Sequence, residues 1–173
     1  QAMTTVHRCG YVGIFGRPNV GKSTFLNRVL GEKIAIVTDK PQTTRNRIVG
    51  IRNFDNAQLV LVDTPGIHRP HGALNRALVE CVMHEVRDVD ICLVLFDATA
   101  RRLFAEEEEL VRLLLDEGRP LLPVLNKIDT VGRPPHLLPV VRELHERVPA
   151  LTTPLRPASA RNGTGVEDLM EAV

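Results

Sequence analysis

With 173 residues, 43% of them hydrophobic and 25% charged, the chain has material for one fully buried core, and neither intrinsic disorder nor a low-complexity scaffold fits that composition. A formal net charge of +1 removes any global electrostatic footprint for nucleic acid, and with no Trp and one Tyr there is little surface on which bases would stack. No stretch approaches the roughly 20 apolar residues of a membrane span, and the first residues carry no apolar signal core, so a cytoplasmic location is expected.

Gln1 and Ala2, ahead of Met3, read as a remnant of expression, and residues 1–8 as a leader outside the fold. The first strand is expected at Tyr11 to Gly16. It runs into GRPNVGKST, Gly16 to Thr24, in which Gly16, Gly21, Lys22 and Ser23 fit G-x-x-x-x-G-K-[ST]. Such a loop surrounds a phosphate chain with backbone N–H groups, and the helix that follows, Lys22 to Leu30, adds partial positive charge at its N-terminus. Glycines let the backbone approach closely. Lys22 is placed to reach the β- and γ-phosphates and the Ser23 hydroxyl to ligate Mg²⁺. All nine residues, Gly16, Arg17, Pro18, Asn19, Val20, Gly21, Lys22, Ser23 and Thr24, are candidate nucleotide contacts. Arg17 is either a charge donor in the transition state or a residue facing solvent or a partner.

Strand-like runs follow at Arg47 to Arg52 and Gln58 to Val62, separated only by Asn53, Phe54, Asp55 and Asn56. That spacing is too short for a parallel crossover and predicts a hairpin. The second run ends in DTPG, Asp63, Thr64, Pro65 and Gly66, at the carboxyl end of a strand, where open α/β sheets bind ligands. A carboxylate at Asp63 can hold Mg²⁺ through water, and the Gly66 N–H can sense a γ-phosphate. His68 and His71 have no third ligand nearby in sequence and read as loop residues.

A helix is expected at Ala73 to Asp88, a strand at Ile91 to Phe96 and a helix at Ala105 to Glu117, whose early carboxylates Glu106 to Glu109 complement the helix dipole on a solvated face. A strand at Leu121 to Leu125 then leads into NKID, Asn126 to Asp129. Asp129 can accept hydrogen bonds from guanine N1–H and the 2-amino group, whereas adenine offers an acceptor at N1 and no 2-amino donor. A site built this way rejects the wrong base by roughly 10⁴-fold or more, because a mismatched base leaves the carboxylate unpaired. Asn126 is expected to tie the segments of the site together and the Lys127 stem to lie along the purine face. A helix at Leu137 to Val148, a sixth strand at Pro154 to Ala158 and a helix from Gly165 complete the alternation of an α/β fold. Ser159 and Ala160 end the last strand, where a backbone N–H can meet guanine O6. Cys9, Cys81 and Cys92 have no paired CxxC spacing and are expected as reduced thiols in the interior.

Taken together, GRPNVGKST, QTTRNRIVGI at Gln42 to Ile51, DTPGIH at Asp63 to His68, NKID and the Ser159–Ala160 pair resemble the Era group of bacterial ribosome-assembly GTPases, from about Cys9 to the C-terminus. The resemblance implies an α/β, Ras-like P-loop GTPase domain over residues 9–173, with a six-stranded mixed sheet, one antiparallel edge strand and about five flanking helices. It implies GTP or GDP and Mg²⁺ as ligands, the metal held by Ser23, by Thr44 or Thr43 from a switch loop, and by Asp63 through water. Lys22, Thr44 and Gly66 would carry catalysis. It also implies a potassium ion near Asn19, for which the alternative is that Asn19 merely stabilises the loop. As partners it implies 16S ribosomal RNA and the 30S subunit, reached through a C-terminal KH domain absent from this chain, and peripheral association with the inner membrane. A monomer is the expected state.

Ile67 follows DTPG where many Ras-like enzymes place a water-orienting glutamine, so unaided turnover is expected to be slow, on the order of 10⁻⁴ to 10⁻² s⁻¹. The same isoleucine leaves open an interaction module with negligible hydrolysis. An ATPase or nucleotide kinase would share the phosphate loop, but Asp129 argues against it. Arg45, Arg47, Arg101 and Arg102 are candidate contacts to RNA or a second domain, or scattered surface charges.

Overall fold

The computed structural model describes residues 8–31, 47–63, 76–132 and 134–173, with the side chains of 47–49, 63, 76–78, 81 and 134 also outside the description. Eleven elements alternate along these segments: β1 (Arg8–Gly16), α1 (Lys22–Leu30), β2 (Arg47–Asn53), β3 (Ala57–Asp63), α2 (Arg76–Arg87), β4 (Ile91–Asp97), α3 (Ala105–Asp116), β5 (Leu121–Asn126), α4 (Leu138–Arg147), β6 (Arg156–Pro157) and α5 (Val166–Glu171). The strands form one sheet in the order β2-β3-β1-β4-β5-β6. Only the β2–β3 pair is antiparallel, as a four-residue-or-shorter connection requires, and it carries a register shift between Ile48 and Gly50.

The apolar runs of β1 and β4 are continuous because both faces of the sheet are covered. Alternate residues serve opposite layers. Val12, Ile14, Leu93, Leu95 and Val124 pack with Phe25, Leu26 and Val29 of α1 and with Val166 and Leu169 of α5. Phe15, Cys92, Val94 and Phe96 pack with Val82 and Val86 of α2, with Leu110 and Leu114 of α3 and with Val140 and Leu144 of α4. Among the described residues this is the six-stranded mixed sheet with one antiparallel edge and five helices that the sequence predicts.

The parallel registers bring the strand ends to one edge. Ile14 pairs with Asp63, Gly16 with Leu95, Asp97 with Asn126 and Leu125 with Pro157. Loops leaving β1 and β4 diverge there, since the chain moves to β2 and β3 on one side and to β5 and β6 on the other, which opens a crevice at the carboxyl ends.

Four expectations are revised. β1 begins at Arg8 rather than Tyr11, because its polar start pairs with β3 from the Arg8–Ala57 register onward. β6 shrinks to Arg156–Pro157, with a single neighbour, β5. Cys9 is exposed; Cys92 is fully buried, and burial pushes its thiol up to about 12, where it stays protonated. Glu107 is not on a solvated face: it is 3% exposed, with its carboxylate accepting from the Phe104 N–H at 3.0 Å across the first turn of α3.

Leu93 sits at the centre of the sheet, fully buried between Ile14 and Leu122. Leu93→Ala is expected to lower unfolding free energy by about 2–5 kcal/mol, read from the urea midpoint at an unchanged m-value.

Candidate nucleotide site

The phosphate loop leaves β1 at Gly16 and enters α1 at Gly21, which has φ +101°. A Cβ on Gly21 would lie 2.4 Å from Asn126 Nδ2, so a side chain there is excluded on both conformational and steric grounds. No side chain caps α1, and its first turn holds no acidic residue, which leaves the positive end of the helix facing the loop. Lys22 folds its ammonium over the loop, donating to Gly16 O at 2.8 Å and Arg17 O at 3.0 Å. Ser23 and Thr24 are exposed beside it.

Asn126 is the joint of the site. It ends β5, is 1% exposed, donates from Nδ2 to Val20 O at 2.9 Å and accepts from the Ala160 N–H at 3.0 Å through Oδ1. One amide thus binds the phosphate loop to the loop after β6. Arg28 of α1 reinforces the second loop from outside, donating to Ala160 O at 3.0 Å and to Arg161 O.

Lys127 has φ +67° and Asn19 φ +64°, uncommon values for residues with side chains and several-fold more tolerable for Asn. The two are joined: Lys127 Nζ donates to Asn19 O at 2.6 Å, and also to Asp97 Oδ2 at 2.6 Å. Burial works to raise the Asp97 carboxyl, but hydrogen bonds from Lys127 and Thr99 outweigh it and hold the group below its ordinary range. Asp129 is exposed, and its Oδ1 accepts from the buried Ser159 hydroxyl at 2.7 Å. A cleft of about 280 Å³ opens between these parts, with Gly21 and Thr24 on one side and Asp129, Thr130 and Ala160 on the other.

Of the residues singled out in the sequence, Gly16 to Thr24, Asn126, Lys127, Asp129, Ser159 and Ala160 therefore converge on one edge of the sheet. The backbone of Asp63 ends β3 at the same edge. Thr43, Thr44, Thr64, Pro65, Gly66, Ile67, His68 and His71 lie outside the described residues, as does the side chain of Asp63. Among the described residues no group of three or more His, Cys, Asp or Glu is placed to hold a metal, and no helix is long and apolar enough to cross a membrane. Two contributors were not anticipated. Asp97 has a legible signal, a carboxylate ending an apolar strand just as Asp63 does; Arg28, on a helix surface, has none.

Arg17 has a partner within the domain: its guanidinium lies 3.5 Å from the centroid of Phe104, over which Arg102 also stands, at 4.4 Å. The phosphate loop is thereby packed against the start of α3.

The sheet order and the loops at its carboxyl edge define a Ras-like P-loop nucleotide domain. Residues 11–127 match the family model described as 50S ribosome-binding GTPase. The GTPase Era of Geotalea uraniireducens is 46% identical over 171 residues, which cover 96% of this chain and 54% of that protein. A crystal structure of an Aquifex aeolicus Era variant bound to GDP·AlF₄⁻ is 37% identical with a TM-score of 0.73, covering 95% of this chain and 56% of that one. Era in complex with MgGDPNP and nucleotides 1506–1542 of 16S ribosomal RNA is 37% identical with a TM-score of 0.75, covering 96% and 56%. The chain belongs to the Era-family GTPases and corresponds to their G domain. It spans a little over half the length of these relatives.

Burial raises the Glu107 carboxyl to about 7, against the Phe104 N–H bond and the nearby Arg17, which lower it. The folded state then binds more protons than the unfolded state between about pH 4.5 and 7, so this group's contribution to stability is lost as pH rises through that window. Glu107→Gln keeps the acceptor without the charge. Denaturation at pH 5 and pH 8 is expected to show the variant gaining on the parent by roughly 1–3 kcal/mol at the higher pH.

Proposed function

We propose that this domain is a switch that binds GTP and hydrolyses it to GDP and phosphate. The observation that carries the reading is the frame built on Asn126, which ties the phosphate loop to Ala160 while Ser159 orients Asp129 at the far end of the same cleft. A purine nucleotide needs that arrangement: donors for the phosphates at one end and a carboxylate for the base at the other. Asp129 accepts from guanine N1–H and the 2-amino group and the Lys127 stem covers a face of the ring, while the Ser159 and Ala160 N–H groups, taken by Thr164 O and Asn126 Oδ1, hold the loop beside the base.

Lys22, held to two carbonyls of its own loop, presents its charge to the β- and γ-phosphates. The exposed Ser23 hydroxyl offers an oxygen to a hard cation, while the uncapped helix N-terminus beside it suits the phosphates, and Thr44 or its neighbour Thr43, with Asp63 through water, would complete the set for Mg²⁺. When bound, Mg²⁺ neutralises charge on the β- and γ-phosphate oxygens. Gly66 donates its N–H to the γ-phosphate, and this segment and the threonine loop are released once that phosphate leaves. Ile67 neither donates nor accepts a hydrogen bond, so water is oriented without a side chain at that position and unaided turnover is slow.

The RNA role belongs to the whole protein. Era relatives are nearly twice as long as this chain, and one is seen with 16S ribosomal RNA. We infer a KH-type domain following this one that engages small-subunit ribosomal RNA and the 30S particle, with a monomeric, cytoplasmic protein that associates peripherally with the inner membrane.

Asp129→Asn is expected to move preference from guanosine to xanthosine nucleotides by at least about 10³-fold, because the amide donates where the carboxylate accepted. Competition binding against a fluorescent nucleotide measures it, and unchanged preference would overturn the guanine assignment. Asn19 is the candidate contact for a potassium ion against the phosphates. Single-turnover hydrolysis is then faster in potassium than in sodium buffer; equal rates in the two would leave Asn19 with loop stabilisation alone.

A further inference from the structure

Asp97 lies at the end of β4, in register with Asn126, and belongs to none of the segments that meet the nucleotide in the reading above. Its two carboxylate oxygens are used differently. Oδ1 accepts from the Thr99 N–H at 2.9 Å and from the Thr99 hydroxyl at 2.6 Å, fastening the group to the short 3₁₀ turn Ala98–Ala100. Oδ2 accepts from Lys127 Nζ at 2.6 Å. The same ammonium donates to Asn19 O, so a chain of bonds runs from the β4 turn through Asp97 and Lys127 into the phosphate loop.

An exposed ion pair would deserve little weight. This one differs in three respects. Both side chains are largely shielded, at 32% exposure for Lys127 and 23% for Asp97. Each partner is anchored to backbone at its other bond, so little rotamer entropy remains to be lost. And Lys127 and Asn19 both hold left-handed backbone conformations, which cost energy that the surrounding bonds must offset.

We propose that Asp97 is a positioning residue for guanine-nucleotide binding: it holds the Lys127 ammonium against the Asn19 carbonyl, so that the lysine stem and the phosphate loop are set before the nucleotide arrives. The inference rests on the guanine-nucleotide reading and adds to it a determinant from a strand end outside the recognised motifs. Loss of Asp97 frees Lys127, and the nucleotide then orders both the lysine and the loop at its own expense. The effect falls on residence time, because a lysine and a loop held in place by the nucleotide alone release it more readily.

Stopped-flow measurement of N-methylanthraniloyl-GDP tests this on the parent, Asp97→Ala, Asp97→Asn, Lys127→Ala and the two double variants, with thermal melting as the check on folding. Asp97→Ala is expected to dissociate about tenfold faster, as removal of one charge-assisted bond implies. Asp97→Asn retains an acceptor without the charge and falls between it and the parent. In the Lys127→Ala background, replacing Asp97 is expected to change dissociation by less than about twofold. Parent-like dissociation in Asp97→Ala, or the same factor in both backgrounds, overturns the proposal, the latter by making Asp97 a purely structural residue. If Asp97→Ala does not fold, the cycle with Asp97→Asn decides by the same criterion. A parent that fails to bind the labelled nucleotide at all overturns the guanine reading and this inference with it, and so is told apart from failure of the inference alone.

Discussion

A single buried amide sets the geometry on which the rest of the site depends. Asn126 has one donor committed to Val20 O and its acceptor committed to the Ala160 N–H, at a position with 1% exposure. Such a group cannot trade its partners for water, and losing either leaves a buried polar atom unsatisfied at a cost of roughly 1–3 kcal/mol. Its reach explains a glycine elsewhere: any Cβ on Gly21 would occupy the space in which Asn126 Nδ2 meets the phosphate loop. Loops from the ends of three parts of the chain, more than a hundred residues apart at the extremes, are held in one frame by a side chain of a few atoms.

The frame works because of where the sheet puts it. Parallel strands deliver their carboxyl ends to one edge, and two covered faces keep the middles of β1, β4 and β5 apolar, so the polar chemistry gathers at their carboxyl ends and in the loops that leave them. The bonds added around Asn126 follow the same logic. Asp97, Lys127 and Asn19 form one chain of contacts across the edge, Ser159 and Asp129 another, and Arg28 closes the outer loop from α1. The phosphate loop is additionally braced by the stacking of Arg17 on Phe104 at the start of α3, next to the buried Glu107. Nucleotide binding, in the reading proposed for this domain, draws on a frame made by the chain's own hydrogen bonds.

Much of this was legible from residue order. In the reading proposed here for the site, the phosphate loop is a contiguous run whose glycine, lysine and hydroxyl positions suit close approach to phosphate, and NKID is a contiguous run that suits the donor edge of guanine. The β2–β3 hairpin followed from connection length alone. Misjudged positions were those whose environment comes from elsewhere. Cys9 lies just before an apolar run but is exposed, on the polar start of β1, and Glu107 belongs to an acidic run of which one member turns inward to close the first turn of α3. Arg28 gives no signal, because its partners at Ala160 and Arg161 are more than 130 positions away.

Sequence by itself determined the candidate residues for phosphate and for the base, and which strands are buried on both faces, because each of those depends on residue type at short spacing. Tertiary structure alone decided which of the strand-end residues act on one another. Asp97 meets Lys127, Asn126 meets Val20 and Ala160, and Ser159 meets Asp129 only because parallel register and sheet order bring distant ends to a common edge, and hydrogen bonds extend no further than about 3 Å.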